Sequence, residues 1–303
     1  MDARPLGPLS APAYEVLDAR FVPCLVPGGQ AERLWTGGGW AEGPAWFDAG
    51  YLVWSDIPNN IMLRWDAATN TTATFRHPTH GSNGNTIDRK GRLITCETLT
   101  RRVTRTEVDG QITVLADRFH GQRLRAPNDV VEKSDGTVWF TDPSYGGGPL
   151  APNEPEVPGC HVYRFDPATG DLRQMTDDMV MPNGLAFSRD ERHLYVVDTG
   201  STHFPDGPNH IRRFALGPDH TLSGGEVFAE NAAKQFDGIR FDSEGRLWCA
   251  AEDGAHCYAP DGTLIGKLKL PERAANLSFG PQGWMLLTAT TSLYRVPVNA
   301  RRP

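Results

Sequence analysis

Six oxygen-bearing side chains recur along the sequence in one local frame, each just ahead of a short strand-like block: Glu42, Asn83, Asn128, Asn183, Asp237 and Asn276. The next residue is glycine in four of them (Gly43, Gly84, Gly184, Gly238) and Asp129 or Leu277 in the other two. Carboxylate and amide oxygens without histidine or cysteine form the donor set of a hard divalent cation. Two carboxylates, Glu42 and Asp237, balance a divalent charge, and the amides fill further positions. Such a set suits Ca²⁺ first, then Mg²⁺ or Mn²⁺, and Zn²⁺ where carboxylates dominate. An incomplete protein shell leaves room for a substrate oxygen and a water, which is the arrangement for Lewis-acid hydrolysis. The plain alternative is that Asn and Asp before Gly make turns; it accounts for one or two members, not for six.

Six such residues can converge only if the blocks are arranged around an axis. Each block continues through a Gly- or Asp-containing turn into a second short strand, such as Tyr51-Leu-Val-Trp54, Val138-Trp-Phe140 or Leu247-Trp-Cys249. Apolar runs this short, cut by turn residues, read as hairpins. The starts fall roughly 40 to 55 residues apart, the period of four-stranded propeller blades. The expectation is therefore an all-β, six-bladed β-propeller with four-stranded blades. Ala31-Glu-Arg-Leu-Trp35 would add the outer strand of the last blade and close the ring through the N-terminal segment. A two-sheet sandwich does not predict sixfold similarity. The expected division is an extension at 1–30, a single propeller over 31–298 and a tail at 299–303. A second set, Asp56, Glu97, Asp142, Asp198 and Glu252 with Thr290, lies at the ends of the second strands. These acids would either make a negative mouth or, as we favour, cap nearby backbone N–H groups.

Composition narrows the function classes. In 303 residues, 39 % are hydrophobic and there are 32 Gly and 24 Pro, which suits a folded, turn-rich chain. A net charge of −7 offers no electrostatic footprint for nucleic acid. The N-terminus lacks a signal-peptide core and no apolar run approaches a membrane span, so a cytoplasmic location is expected. Five scattered cysteines (24, 96, 160, 249, 257) make no zinc spacing and are expected to be reduced, with Cys249–Cys257 across a hairpin as the alternative. Gly-x-Ser-x-Gly, His-Glu-x-x-His and a complete phosphate-binding loop are all missing. His77 and His80 lie in a Pro-containing loop, and His80 is near enough to Asn83 to reach a substrate.

These motifs resemble the gluconolactonase/regucalcin (senescence marker protein) family of metal-dependent lactonases. The resemblance rests on Glu42-Gly-Pro-Ala-Trp46, Pro127-Asn-Asp129, Pro182-Asn-Gly-Leu-Ala-Phe187, Asp198-Thr-Gly200, Asp237-Gly-Ile-Arg-Phe-Asp242 and Asn276-Leu-Ser-Phe-Gly280, in that order. His80-Gly-Ser-Asn83-Gly84 makes it strongest to bacterial gluconolactonases. It implies hydrolysis of a small-molecule sugar lactone at one divalent cation. Glu42, Asn183 and Asp237 would be its ligands, Asn128 would stand beside it, and Asp237 would also be the general base. Substrate contacts would come from mouth loops, with Asn83, Asn128, Arg125, Tyr145 and His203 as candidates. The animal proteins place an Arg where this chain has Ala126, with Arg125 adjacent. Two loops, 143–159 and 199–208, would cover the site. A fluorophosphatase-like phosphotriesterase and a non-catalytic binding platform with a structural metal are the competing functions.

Overall fold

The computed structural model describes residues 6–145, 156–230 and 235–303. The chain forms a six-bladed β-propeller with four-stranded blades. The first blade runs Ala41–Phe47, Tyr51–Asp56, Ile61–Asp66 and Thr71–Arg76, each strand antiparallel to the last. The second to fifth blades repeat this order, their innermost strands being Ser82–Ile87, Val130–Glu132, Pro182–Phe187 and Ile239–Phe241. The sixth uses Ala274–Phe279, Trp284–Ala289 and Ser292–Pro297, and takes its fourth strand, Glu32–Thr36, from the N-terminal segment. Arg295 and Glu32 form an ion pair across that closure.

Each blade is sandwiched between two others, so its second strand is buried on both faces. The second strands accordingly read as continuous apolar runs, with Trp54, Trp139 and Trp248 wholly buried. Fourth strands face water on one side, and Thr71–Arg76 is largely exposed. The core is thus a chain of clusters lying between blades.

The segment ahead of residue 31 is woven into the ring. Gly7–Pro8 pairs outside Glu32–Thr36, and Tyr14–Val16 pairs with Leu264–Lys269 of the fifth blade. A 3-10 turn, Ala19–Cys24, is capped by Asp18 and buries Phe21 and Cys24. Phe21 packs 5.9 Å from Trp248, where Gly266 leaves room for its ring. All five cysteines are free thiols. Cys249 lies opposite His256 while Cys257 lies opposite Trp248, so the two cysteines point to opposite faces of the sheet. Among the described residues no helix is long and apolar enough to cross a membrane.

Candidate active site at the propeller axis

Every one of the six repeated residues stands within two residues of the point where an innermost strand begins, and all six are buried. Their placement follows from two features of the repeat. The first is the residue after each. A Cβ on Gly84 would lie 2.5 Å from the Asn128 carbonyl oxygen, on Gly184 2.3 Å from that of Asp237, and on Gly238 2.1 Å from the Asn276 amide. Gly43 additionally has φ +55° and faces the Asn83 carbonyl. Glycine is required because neighbouring inner strands meet there. Direct bonds lock them: Gly84 N donates to Asn128 O at 2.7 Å and Gly238 N to Ala275 O at 2.8 Å. Hydroxyls on the second strands hold the next blade's ring residue, Ser55 to Asn83 O and Thr141 to Asn183 O, both at 2.9 Å.

The second feature is the acid ending the second strand. Asp56 accepts from the N–H groups of Gly39 and Trp40, Asp142 from Arg125 and Ala126, and Asp198 from Val180, Met181 and Gly200. In three blades the buried carboxylate therefore pins the backbone two residues ahead of Glu42, Asn128 and Asn183. These acids cap backbone rather than charge the mouth. Glu97 instead binds Thr100, Arg102 and Thr104, and Glu252 is exposed.

Inside the ring, Asn276 Nδ2 donates to Glu42 Oε2 at 3.3 Å. Asn183 Nδ2 donates to the Tyr145 hydroxyl at 2.9 Å, and that hydroxyl also contacts Thr199 Oγ1. The His203 ring lies 5.7 Å from that of Tyr145, on the exposed rim, with Nδ1 at Thr202 Oγ1. The amides of Asn83 and Asn128 take no hydrogen bond among the described residues. Arg125 is committed to the mouth loop: it donates to Val157 O and Ser144 Oγ at 2.9 and 2.6 Å. The 199–208 loop is compact, closed by Ser201 N to Pro208 O at 2.8 Å. Residues 146–155 of the other loop lie outside the described residues.

Two further charged residues reach the ring. Asp129 occupies the slot that is glycine in four blades, and its carboxylate is buried beneath Gly84. Its Oδ1 accepts from Val130 N, while Oδ2 has no hydrogen bond and lies 3.5 Å from Arg240 Nη1. Arg273 Nη2 lies 3.5 Å from Asp237 Oδ2. The repeat gave no sign of either contact except the break in the glycine frame at 129.

Burial, with repulsion from Asp237 and Asp129, pushes the Glu42 carboxyl well above the usual range. Burial likewise raises Asp237, against the pull of Arg273 and the Asn183 amide. The Tyr145 phenol is also raised, first by burial and then by the Asp237 charge, so it stays a neutral hydrogen-bonding group. Crowded buried carboxylates of this kind call for compensating positive charge. Glu42 and Asp237 with the amide oxygens of Asn183 and Asn128 fit a hard divalent cation in charge and donor type. Among the described residues no three His, Cys, Asp or Glu side chains gather to hold a metal, so this donor set depends on the amides.

Comparison with known proteins agrees with this architecture. Residues 40–292 match the family described as "SMP-30/Gluconolactonase/LRE-like region". The chain is 30 % identical over 289 residues to the gluconolactonase of Zymomonas mobilis, covering 85 % of this chain and 78 % of that one. The structure superposes on a gluconolactonase from Xanthomonas campestris with a TM-score of 0.90 at 34 % identity, covering 97 % and 98 % of the two chains. Regucalcin from Agrobacterium tumefaciens, a calcium-binding protein, superposes with a TM-score of 0.73 at 18 % identity over 89 % and 94 %, a likeness of fold. With its ring of axial oxygen donors and its match over most of the sequence, the chain belongs to the SMP-30/gluconolactonase/LRE-like family.

Proposed function

We propose that this protein is a lactone hydrolase acting on sugar lactones of the aldonolactone type, and that its activity depends on one divalent cation. The observation that carries the reading is the pairing of two buried carboxylates, Glu42 and Asp237, among amides of which Asn83 and Asn128 take no hydrogen bond among the described residues. Glu42, Asn183, Asp237 and Asn128 would hold the cation, Ca²⁺ by donor type. When bound it supplies Lewis-acid polarisation of a lactone carbonyl and lowers the pKa of a nearby water.

The chain's own residues do the rest. Asp237 takes the proton from the attacking water, a role open to a buried carboxylate beside the reacting carbon. Tyr145 fixes the Asn183 amide by accepting from its Nδ2. Asn83 and Asn128, whose amides take no hydrogen bond among the described residues, offer them to the sugar hydroxyls. His203 and Tyr145 form one wall of the mouth. Arg125 acts on substrate through the loop it holds at Ser144 and Val157.

The test is acid release from D-glucono-δ-lactone and a panel of pentono- and hexonolactones, using chelator-stripped protein before and after Ca²⁺, Mg²⁺, Mn²⁺ or Zn²⁺. The reading requires a cation-dependent rate on at least one lactone. A stripped enzyme as fast as the loaded one would remove the cation from it, and inactivity on the whole panel would remove the lactone.

A further inference from the structure

Arg273 is the last residue before the innermost strand of the sixth blade, three positions ahead of Asn276. Its guanidinium is not bound to a close carboxylate. It lies with its central carbon 5.0 Å from the centroid of the Trp40 ring, and its nearest acid oxygen is Asp237 Oδ2 at 3.5 Å, too long for a strong charged bond. Its Nε is buried with no partner among the described residues. The backbone under both side chains is fixed. Thr290 N donates to Arg273 O at 3.0 Å, and the adjoining Glu272 accepts from Thr291, Ser292 and Tyr294. Trp40 is held through its own N–H by Asp56. Two nearby guanidiniums are engaged through their terminal nitrogens: Arg125 by the mouth loop, Arg240 by Ile239 O and Asp129.

Arg273 is thus a rigidly mounted, fork-shaped donor set beside the general base, with donors to spare. Hydrolysis creates a group that fits it. The water oxygen bonds to the carbonyl carbon, the ring C–O bond breaks and the ring oxygen takes one proton. The acid formed gives up another at neutral pH, so a neutral ester becomes a carboxylate on the carbon nearest Asp237. Guanidinium and carboxylate match as planar forks. We propose that Arg273, stacked on Trp40, is a product-binding residue that receives the carboxylate of the ring-opened hydroxy acid. This rests on the lactonase reading.

Initial rates of D-glucono-δ-lactone hydrolysis by the cation-loaded enzyme are measured against increasing sodium D-gluconate. Arg273→Gln is expected to raise the inhibition constant for gluconate about ten-fold or more while KM for the neutral lactone moves less than about three-fold, the ratio expected for a lost charge-assisted contact. Arg273→Lys, which keeps charge but not the fork, should fall between, and it decides the matter if the Gln variant does not fold. An unchanged inhibition constant, inhibition and KM rising together, or no inhibition of the wild-type enzyme would each overturn the proposal. Calorimetric titration of gluconate into wild type and variant reads the same contact without turnover, so an enzyme inactive on lactones would defeat the lactonase reading and still leave the Arg273 contact measurable.

Discussion

The glycine that follows four of the six ring residues sets how closely two blades approach, and Gly184→Ala tests that directly. The backbone at Gly184 needs no left-handed conformation, so an alanine there is opposed only by space. Its Cβ would stand 2.3 Å from Asp237 O, 2.8 Å from Gly238 Cα and 3.0 Å from Ile239 N. Carbon contacts relax near 3.5 Å, so the fourth and fifth blades must part by about 1 Å at the axis. Overpacking of this kind costs about 1–3 kcal/mol, a fall of a few degrees in Tm for a chain this size. The same shift separates Asn183 from Asp237, and about 1 Å at reacting groups costs on the order of 100-fold in rate. Gly136→Ala is the control. Gly136 has φ +84° with nothing near its Cβ, so alanine there carries backbone strain of about 1 kcal/mol far from the axis. Lactone hydrolysis, Ca²⁺ titration and thermal melts of both variants separate the effects. A melting loss in both variants, with activity lost only in Gly184→Ala, is expected; full activity and full cation affinity in Gly184→Ala would refute the close-approach argument.

Asp237→Asn should lower kcat at least about 100-fold, as removal of a general base does, and should raise the Tm of the chelator-stripped protein because one of two repelling buried carboxylates is gone; a lowered Tm in the stripped state would speak against that repulsion. Ca²⁺ at about 100 times its dissociation constant should stabilise the wild type by about 2.7 kcal/mol, read as a Tm rise that chelator reverses. Tyr145→Phe should weaken the cation about 10-fold through the freed Asn183 amide, read by calorimetry, with little change in melting of the stripped protein. Glu272, next to Arg273, gives a pH signature of its own. Burial works to raise its carboxyl, but hydrogen bonds from Ser292, Tyr294 and Thr291 hold it down to about 2. A depressed carboxylate stabilises above its unfolded value and loses that contribution as pH falls. The advantage of wild type over Glu272→Gln, on the order of 2–3 kcal/mol at pH 7, should therefore fade between about pH 5 and pH 2 in denaturant titrations. A pH-independent difference would contradict it.

The ring was legible because one local frame recurs six times, and in four of the six blocks converging inner strands require a glycine after the oxygen-bearing residue. The blades were legible for a similar reason, since strands buried on both faces become short apolar runs between turns. What escaped the sequence is what the repeat does not encode. Gly7–Pro8 and Tyr14–Val16 are too short to show alternation, and they become strands only because the outer edges of the sixth and fifth blades are there to pair with. Asp129 was hidden because it fills a glycine slot, where a carboxylate reads as one more turn residue. Arg273 shares its offset with Arg125, three residues ahead of a ring residue, so the repeat does not single it out, and its place beside Asp237 follows from the loop that Glu272 anchors. Arg125 could be placed near the mouth but not tied to Val157, because that partner lies 32 residues along in a loop of no regular pattern.

The most direct measurement is a calorimetric titration of Ca²⁺ into chelator-stripped protein, followed in the same samples by the rate on D-glucono-δ-lactone. One ion per chain, with rate rising in step with occupancy and both lost in Glu42→Gln, is the predicted result. Hydrolysis at full speed with no ion bound, or an ion that binds equally well without Glu42, would contradict the account.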